Sequence, residues 1–249
     1  MGPRPIVIYA ATGYTGRLIA AELLERGEGV VLAGRDAMKL QAFAHRLGKG
    51  IIAIAPAALD DPHALRAAAA RGAVLINCAG PFSASGDALV TAAAAAGAHY
   101  LDTTGEQDWI RRVFEVHDPM PRSAAVAYED GAWVANGRRP RSAFITFPGP
   151  IGRQVVPRYP TGEIITVPRP VAARELVARG IVEGPDTYGL TAKTITRAAI
   201  ELAAPGFTHS GALAPAQAVD PRAFLDGLAA IGVRWQVEAP QQARTEVAA

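Results

Sequence analysis

The stretch that decides the fold is IVIYAATGYTG, residues 6–16. It opens with three apolar residues, which are typical of a strand buried on both faces of a parallel sheet. A small turn containing two glycines follows, and apolar residues then recur at helical spacing from Leu18 to Leu24. The sequence therefore predicts a strand, a tight turn and a helix in direct succession.

The turn between this strand and this helix is suited to holding a phosphate. Unpaired N–H groups at the start of the helix face the turn. Two glycines occupy two of the three glycine positions of a dinucleotide-binding fingerprint, while Ala10 stands at the first. Alanine fits there only with a negative φ, which we predict for Ala10. The predicted pyrophosphate-binding residues are Thr12, Gly13, Tyr14, Thr15 and Gly16.

The end of the second predicted strand, residues 30–33, indicates which dinucleotide is bound. Arg35 stands where an NAD site carries an acidic residue for the ribose, and an arginine there favours the 2′-phosphate of NADP. Lys39 lies one helical turn further on, and we predict that both cations bind the cofactor. Asp36 is interpreted as the N-cap of a helix over 37–47. The alternative is that Arg35 and Lys39 belong to a solvated face.

Composition excludes several classes of protein. The net charge of the 249 residues is only +2, which does not favour nucleic-acid binding. A single cysteine, Cys78, excludes an internal disulfide framework and fits a reducing compartment. No apolar run reaches membrane-spanning length, no signal peptide is visible and no metal site is predicted. We therefore expect a cytoplasmic protein without a membrane span.

Three further strands are predicted, over 51–54, within 73–80 and over 99–102, and the range 73–80 includes the residues that leave the strand. In a doubly wound sheet, ligands lie beyond the carboxyl ends of the strands, which places residues 77–82 beside the cofactor. Cys78 is interpreted as a small buried residue, with a catalytic thiol as the alternative. Asp102 and Glu106 follow the fifth strand and are the candidate catalytic residues, to orient a substrate or carry a proton. Equally, Asp102 would cap the next turn and Glu106 would start the next helix.

Four ordered blocks resemble the saccharopine dehydrogenase-like oxidoreductases, in the branch that includes the trans-acting enoyl reductases of lipid and polyketide assembly. The blocks are residues 11–16, 32–36, 77–82 and 100–106. The resemblance implies an NADP-binding Rossmann domain, with Arg35 at the 2′-phosphate. It also implies that the nicotinamide side is lined by Cys78, Ala79, Gly80 and Pro81. The family continues after residue 116 into a sixth strand, a loop and a helix that are not visible here, so the chain is expected to be internally shortened.

The second half of the chain has a different pattern. Asp130-Gly131 between apolar runs predicts a hairpin, further strands are predicted near 143–147, 154–156 and 163–167, and a helix is predicted over 191–202. The predicted fold class is therefore α/β, a Rossmann-like parallel sheet with a second α+β domain built on an antiparallel sheet. The predicted domains are 1–120 for NADP binding and 121–238 for substrate or dimerisation, followed by a disordered tail over 239–249.

Three functions remain open from the sequence. The first is an NADP(H)-dependent oxidoreductase that transfers hydride to a C=C or C=N bond. The second is a catalytically weak NADP-binding regulatory protein, and the third is a partner of a larger synthase.

Eight arginines against four acidic residues between Ser123 and Gly180 favour an anionic or carrier-bound acyl substrate, although a solvated basic face would look the same. An open sheet edge in the second domain would allow a homodimer.

Overall fold

The computed structural model describes residues 4–48, 52–117, 126–129, 132–135, 142–147, 152–157, 186–231 and 233. Its centre is a five-stranded parallel sheet in the order β3-β2-β1-β4-β5. The strands are β1 (Ile6–Tyr9), β2 (Val30–Gly34), β3 (Ile52–Pro56), β4 (Val74–Asn77) and β5 (His99–Asp102). This order, with crossover helices between strands, is that of a Rossmann-like α/β fold.

Five helices follow the five strands in alternation. They are α1 (Tyr14–Glu25), α2 (Ala37–Leu47), α3 (Pro62–Ala69), α4 (Phe82–Ala96) and α5 (Gln107–His117). Asp36 and Asp61 cap α2 and α3 by accepting backbone N–H groups at 3.0 and 2.9 Å, which confirms the N-cap predicted for Asp36. Gly86 lies inside α4, where an added Cβ would overlap the Trp109 ring, so the glycine serves the packing of α4 against α5.

The sheet is covered on both faces. The strands β1, β2 and β4 are buried along their whole length, because each lies inside the sheet between two helical layers. One apolar cluster contains α1 and α2 on one face, and a second contains α3 and α4 on the other. None of the helices in the described ranges is long and apolar enough to cross a membrane.

A helix from the C-terminal part of the chain completes the first face. It is α6 (Thr187–Ala203), and its buried Ala192, Ile195, Ala199 and Leu202 belong to the same apolar cluster as α1. Lys193 on α6 donates to Glu22 on α1 at 3.0 Å. Two short helices follow, α7 (Pro215–Ala218) and α8 (Pro221–Ala229). The sequence predicts the helix at this place but not its position on the sheet of the first half.

Two antiparallel strand pairs lie between these parts of the sequence. β6 (Val126–Glu129) pairs with β7 (Ala132–Ala135) on either side of Asp130-Gly131, which confirms the predicted hairpin. β8 (Ser142–Phe147) pairs with β9 (Gly152–Pro157), close to two further predicted strands. The predicted strand at 163–167 and the predicted tail at 239–249 lie outside the described residues.

Candidate functional site

The turn after β1 brings α1 unusually close to the strand. The N–H of Gly13 donates to the carbonyl of Ala10 at 2.9 Å, which closes the turn. A Cβ at Gly16 would lie 2.7 Å from the Ala10 carbonyl oxygen and 2.9 Å from the Cα of Ala11, so only glycine allows this approach. Gly16 therefore packs the helix on the strand, as the fingerprint predicts.

The prediction of a negative φ at Ala10 is wrong. Ala10 has a φ of 57° and is the residue other than glycine with positive φ among the described residues. The chain must reverse direction here within one residue, and the left-handed conformation achieves this at a steric cost that glycine would avoid. The turn that glycine normally builds is thus present with an alanine in the glycine conformation.

The N-terminus of α1 has no side-chain cap, whereas the N-termini of α2, α3 and α4 are capped by carboxylates. Its N-cap, Gly13, supplies no side-chain hydrogen bond, and its first turn contains no acidic residue. In contrast, carboxylates bond the N-termini of α2, α3 and α4, from Asp36, Asp61 and Glu106. Free N–H groups and the positive end of the helix dipole are the features that bind phosphate. Among α1 to α4, the helix that starts at the glycine turn is the one left available to an anion.

The remaining predicted turn residues surround this opening. The carbonyl oxygen of Thr12 accepts the Arg17 Nε at 2.7 Å, and Thr12 and Thr15 are half-buried. Tyr14 is 64% exposed, and its ring meets that of Tyr188 edge-on with centroids 5.0 Å apart. Tyr188 lies in the first turn of α6, so the start of that helix lies beside the turn. Sequence reasoning missed this neighbour, because nothing local to Tyr188 indicates it.

Arg35 is exposed directly beyond β2, at the end of the sheet where the turn lies. Within the described part of the chain, no carboxylate pairs with its guanidinium. Lys39 is also exposed, but its ammonium lies 3.3 Å from the Asp36 carboxylate. Of the two predicted cations, Arg35 is therefore the one without a carboxylate partner among the described residues.

A buried network of hydrogen bonds fixes the segment 78–81, which follows β4. Asn77 is completely buried, and its Nδ2 donates to Tyr100 Oη at 3.0 Å and to Ser85 Oγ at 3.1 Å. Its Oδ1 accepts the N–H of Ala79 at 2.8 Å, while Ser85 Oγ donates to the Ala79 carbonyl at 2.6 Å. Both backbone groups of Ala79 are thus fixed by side chains, which gives the segment 78–81 a defined shape. The sequence placed Asn77 at the site but did not reveal this role.

Cys78 begins this exit as a half-buried free thiol. Burial, and secondarily the charge of Asp102, raise the pKa of Cys78 to about 12. The thiol therefore stays protonated at neutral pH, which disfavours the alternative of a catalytic thiolate. Its interpretation as a small packing residue fits, since it contacts the apolar cluster of α1.

Asp102 is engaged by three donors at the end of β5. Its Oδ2 accepts Trp109 Nε1 at 2.7 Å and Tyr100 Oη at 2.9 Å, and its Oδ1 accepts the N–H of Thr104 at 3.1 Å. The last bond is the turn cap that the sequence allowed as the alternative. Burial first, and the neighbouring Asp102 charge second, raise the pKa of Tyr100, so this hydroxyl remains a donor. Asp102 thus joins β5, α5 and the Asn77 network.

Glu106 is held in place by the N-terminus of α4. Its two carboxylate oxygens accept the N–H groups of Phe82 at 2.6 Å and Ser83 at 2.9 Å. Desolvation acts to raise the pKa of Glu106, but these backbone hydrogen bonds outweigh it and the pKa is lowered. Its carbonyl also accepts the N–H of Ile110, so it starts α5 as the alternative predicts. A carboxylate ionised and bonded in this way is poorly suited to donate a proton.

Comparison with known proteins gives a consistent picture for the first half of the chain. Residues 6–134 match the family model described as the saccharopine dehydrogenase NADP-binding domain. The chain is 38% identical over 117 residues to a trans-acting enoyl reductase of Mycobacterium bovis. It is 31% identical over 127 residues to a protein of Arabidopsis thaliana named as a probable mitochondrial saccharopine dehydrogenase-like oxidoreductase. Each match covers 45% of this chain and only 28% of the relative.

Solved structures match this chain at lower similarity. An isoflavone reductase is 18% identical with a TM-score of 0.37, covering 46% of this chain and 39% of its own. A short-chain dehydrogenase/reductase of Veillonella parvula in complex with NADP is 16% identical with a TM-score of 0.37, covering 44% of this chain and 50% of its own.

Proposed function

Because this chain belongs to the saccharopine dehydrogenase NADP-binding domain family, we propose that it is an NADP(H)-dependent oxidoreductase that reduces a C=C or C=N bond. The observation that carries the proposal is the open N-terminus of α1 above a glycine turn. Gly16 lets the backbone approach closely there, and no side chain caps the helix. These features fit the pyrophosphate of a dinucleotide.

We assign the cofactor contacts by their places in the fold. The pyrophosphate would be held by Thr12, Gly13, Tyr14, Thr15 and Gly16. Arg35 would bind the 2′-phosphate, and Lys39 would add positive charge beside it. The nicotinamide side would be lined by Cys78, Ala79, Gly80 and Pro81. When bound, NADPH supplies the hydride, and the protein supplies orientation and electrostatics.

The role of the two predicted catalytic carboxylates is a separate proposal. Asp102 and Glu106 lie at the carboxyl end of β5, next to the β4 exit that they help to fix. Their hydrogen bonds favour a positioning role: Glu106 holds the start of α4, and Asp102 holds Tyr100 and through it Asn77. Direct proton transfer from either would first require these bonds to break, at a cost to the shape of the nicotinamide side.

A second candidate function follows from the same contacts. The carboxylates of Asp102 and Glu106 are both engaged in hydrogen bonds, so neither is free to donate a proton beside the proposed nicotinamide side. A catalytically weak NADP-binding regulatory protein, or a partner of a larger synthase, would have this arrangement. The chain aligns with 28% of the length of the enoyl reductase relative, which leaves room for groups that this chain does not supply.

We propose further that residues 121–238 contribute an α+β region for substrate binding or dimerisation. The two antiparallel pairs β6–β7 and β8–β9 support this proposal. The arginines between Ser123 and Gly180 would attract an anionic or carrier-bound acyl substrate. An unpaired edge of these strands would allow a homodimer.

Steady-state kinetics of the isolated chain tests the proposed function. NADPH oxidation is followed across a panel of enoyl thioesters and imines, with saturated thioesters as the control for uncoupled oxidation. Turnover near the median of about 10 per second would identify a competent reductase. NADPH binding with turnover lower by a hundredfold or more would favour the second candidate. Failure to bind NADPH would contradict both.

A further inference from the structure

The described residues line a cavity of about 800 Å³, open to the surface, beyond the end of β5. One wall is the face of α6 that carries Leu190, Ile195, Ala198 and Leu202. The opposite wall is the segment 213–225, which includes α7 and the start of α8, and the floor is the end of β5. A volume of this size is in the range of pockets that enclose most of a small organic ligand.

The walls of the cavity are apolar even where the sequence is polar. Thr191 Oγ1 donates to the Thr187 carbonyl and Thr194 Oγ1 to the Leu190 carbonyl, both at 2.9 Å. Thr104 Oγ1 accepts the N–H of Glu106 at 2.9 Å. Because the O–H groups of Thr191 and Thr194 donate to backbone carbonyls, these two threonines contribute methyl groups to the surface rather than unmet donors, whereas Thr104 keeps its own O–H. Together with the leucine, isoleucine and alanine side chains of the lining, they make most of the described surface of the cavity apolar.

The charges on the lining argue against an anionic occupant. The charged side chains among the described lining residues are the carboxylates Asp102 and Asp186. Asp186 is the N-cap of α6 and accepts the N–H of Tyr188 at 3.0 Å. A carboxylate or phosphate placed inside would face like charge without a cation to pair with. An anionic group is therefore disfavoured inside the cavity.

The cavity lies at the carboxyl end of the parallel strands, which is also the end of the sheet that carries the turn after β1. Leu101 to Thr104 form its floor, and β5 is the neighbour of β4, whose exit is the proposed nicotinamide side. The same Asp102 that lines the cavity bonds Tyr100, which in turn meets Asn77 under that exit. A ligand with its apolar end in the cavity would extend past the end of β5 toward β4.

We propose that this cavity binds the hydrocarbon tail of an acyl substrate, with the thioester left outside toward the β4 exit. The proposal rests on the proposed function and deepens it, because it names the part of the substrate that this chain recognises. The cavity would select substrates by tail length. Ala198 is one of the α6 residues that line it, so a larger side chain there would shorten the longest tail that fits.

The test is direct binding of saturated thioesters, which needs no turnover. Butanoyl, octanoyl and dodecanoyl N-acetylcysteamine thioesters are titrated by calorimetry into the full chain, with and without NADPH. We expect affinity to rise by about fourfold per methylene while the tail still enters the cavity. Ala198→Phe should remove the gain from octanoyl to dodecanoyl and leave NADPH affinity unchanged. Ala204→Phe, at an exposed position outside the cavity, is the matched control.

Each outcome separates this proposal from the proposed function. Chain-length-dependent binding lost in Ala198→Phe supports the cavity, even if NADPH does not bind or no acceptor is reduced. If Ala198→Phe does not fold, Ala216→Trp on the opposite wall gives the same test. Affinity independent of tail length, equal losses in Ala198→Phe and Ala204→Phe, or no saturable binding because other residues of this chain fill the cavity would each overturn it.

Discussion

The carboxylate of Glu106 accepts the backbone N–H of Phe82 at 2.6 Å, so a side chain from the loop after β5 caps the helix after β4. The two loops at the carboxyl edge of the sheet are thereby joined. One of them carries the proposed nicotinamide-side residues, and the other forms the floor of the apolar cavity. This contact holds together two loops whose bonded residues are 24 apart in sequence.

Replacing this cap should destabilise the protein in a pH-dependent way. Glu106→Ala leaves the first N–H groups of α4 without a partner, which typically costs about 0.5–2 kcal/mol. The folded-state pKa is lowered from 4.5, so the stabilisation is present above that value and is lost as the pH falls through the folded pKa. Urea unfolding at pH 7 and below pH 4 measures both effects.

The control for this cap is Glu25→Ala, since Glu25 is exposed at the end of α1. We expect its free energy of unfolding to stay within about 0.5 kcal/mol of the original at either pH. If Glu106→Ala and Glu25→Ala have the same pH profile, Glu106 does not cap α4 in solution.

Ala10→Gly should stabilise the protein. Ala10 holds a φ of 57°, a conformation that costs an L-residue roughly 1 kcal/mol and glycine almost nothing. We expect a gain of up to about 1 kcal/mol by denaturant unfolding, with NADPH affinity changed by less than about tenfold. Ala70→Gly, at a φ of −62°, should instead lower stability. A loss of stability in Ala10→Gly would show that Ala10 is not left-handed in solution.

Gly16→Ala tests the close approach of α1 to β1. The new Cβ would meet the backbone of Ala10 and Ala11 at 2.7–3.0 Å, so the helix must move. We expect overpacking to cost about 1–3 kcal/mol of stability and NADPH affinity to fall by more than tenfold. In Gly206→Ala the added Cβ has open space, and both quantities should be unchanged. Unchanged cofactor binding in Gly16→Ala would place the phosphate elsewhere.

The ion pair between α1 and α6 should stabilise their packing. Glu22 is 9% exposed, accepts Lys193 Nζ at 3.0 Å and also pairs with Arg26 of its own helix at 2.7 Å, so removal of Lys193 leaves a poorly solvated carboxylate with one of its two partners. A double-mutant cycle with Glu22→Gln and Lys193→Met should give a coupling of roughly 0.5–1 kcal/mol, toward the low end because Lys193 is partly exposed. Arg197→Met with Glu22→Gln is the uncoupled control. Additive effects for the first pair would mean that Glu22 and Lys193 do not interact in solution.

Much of the Rossmann half could be predicted from the sequence because its signals are local. Buried strands appear as short apolar runs, and Asp36 and Asp61 stand directly before the helices that they cap. The exit of β4 was placed at the site for the same reason, since the carboxyl ends of parallel strands share one edge.

The parts that the sequence did not reveal depend on contacts between distant residues. The apolar periodicity of α6 predicts a buried face but does not say that α1 covers it. The bonds from Glu106 to α4 and from Asn77 to Tyr100 join separate strands and leave no pattern of spacing. The φ of Ala10 was mispredicted because steric preference was given more weight than the geometry of the turn.

The central claim is that this chain selects NADPH through Arg35 beside the glycine turn, and paired cofactor titrations test it most directly. NADPH and NADH are titrated by fluorescence into the unmodified chain, Arg35→Ala and, as a control on α3, Arg66→Ala. We predict tighter binding of NADPH than NADH, a loss of about tenfold to a hundredfold for NADPH alone in Arg35→Ala, and no change in Arg66→Ala. Equal affinity for the two cofactors, or an equal loss for both in Arg35→Ala, would contradict the claim.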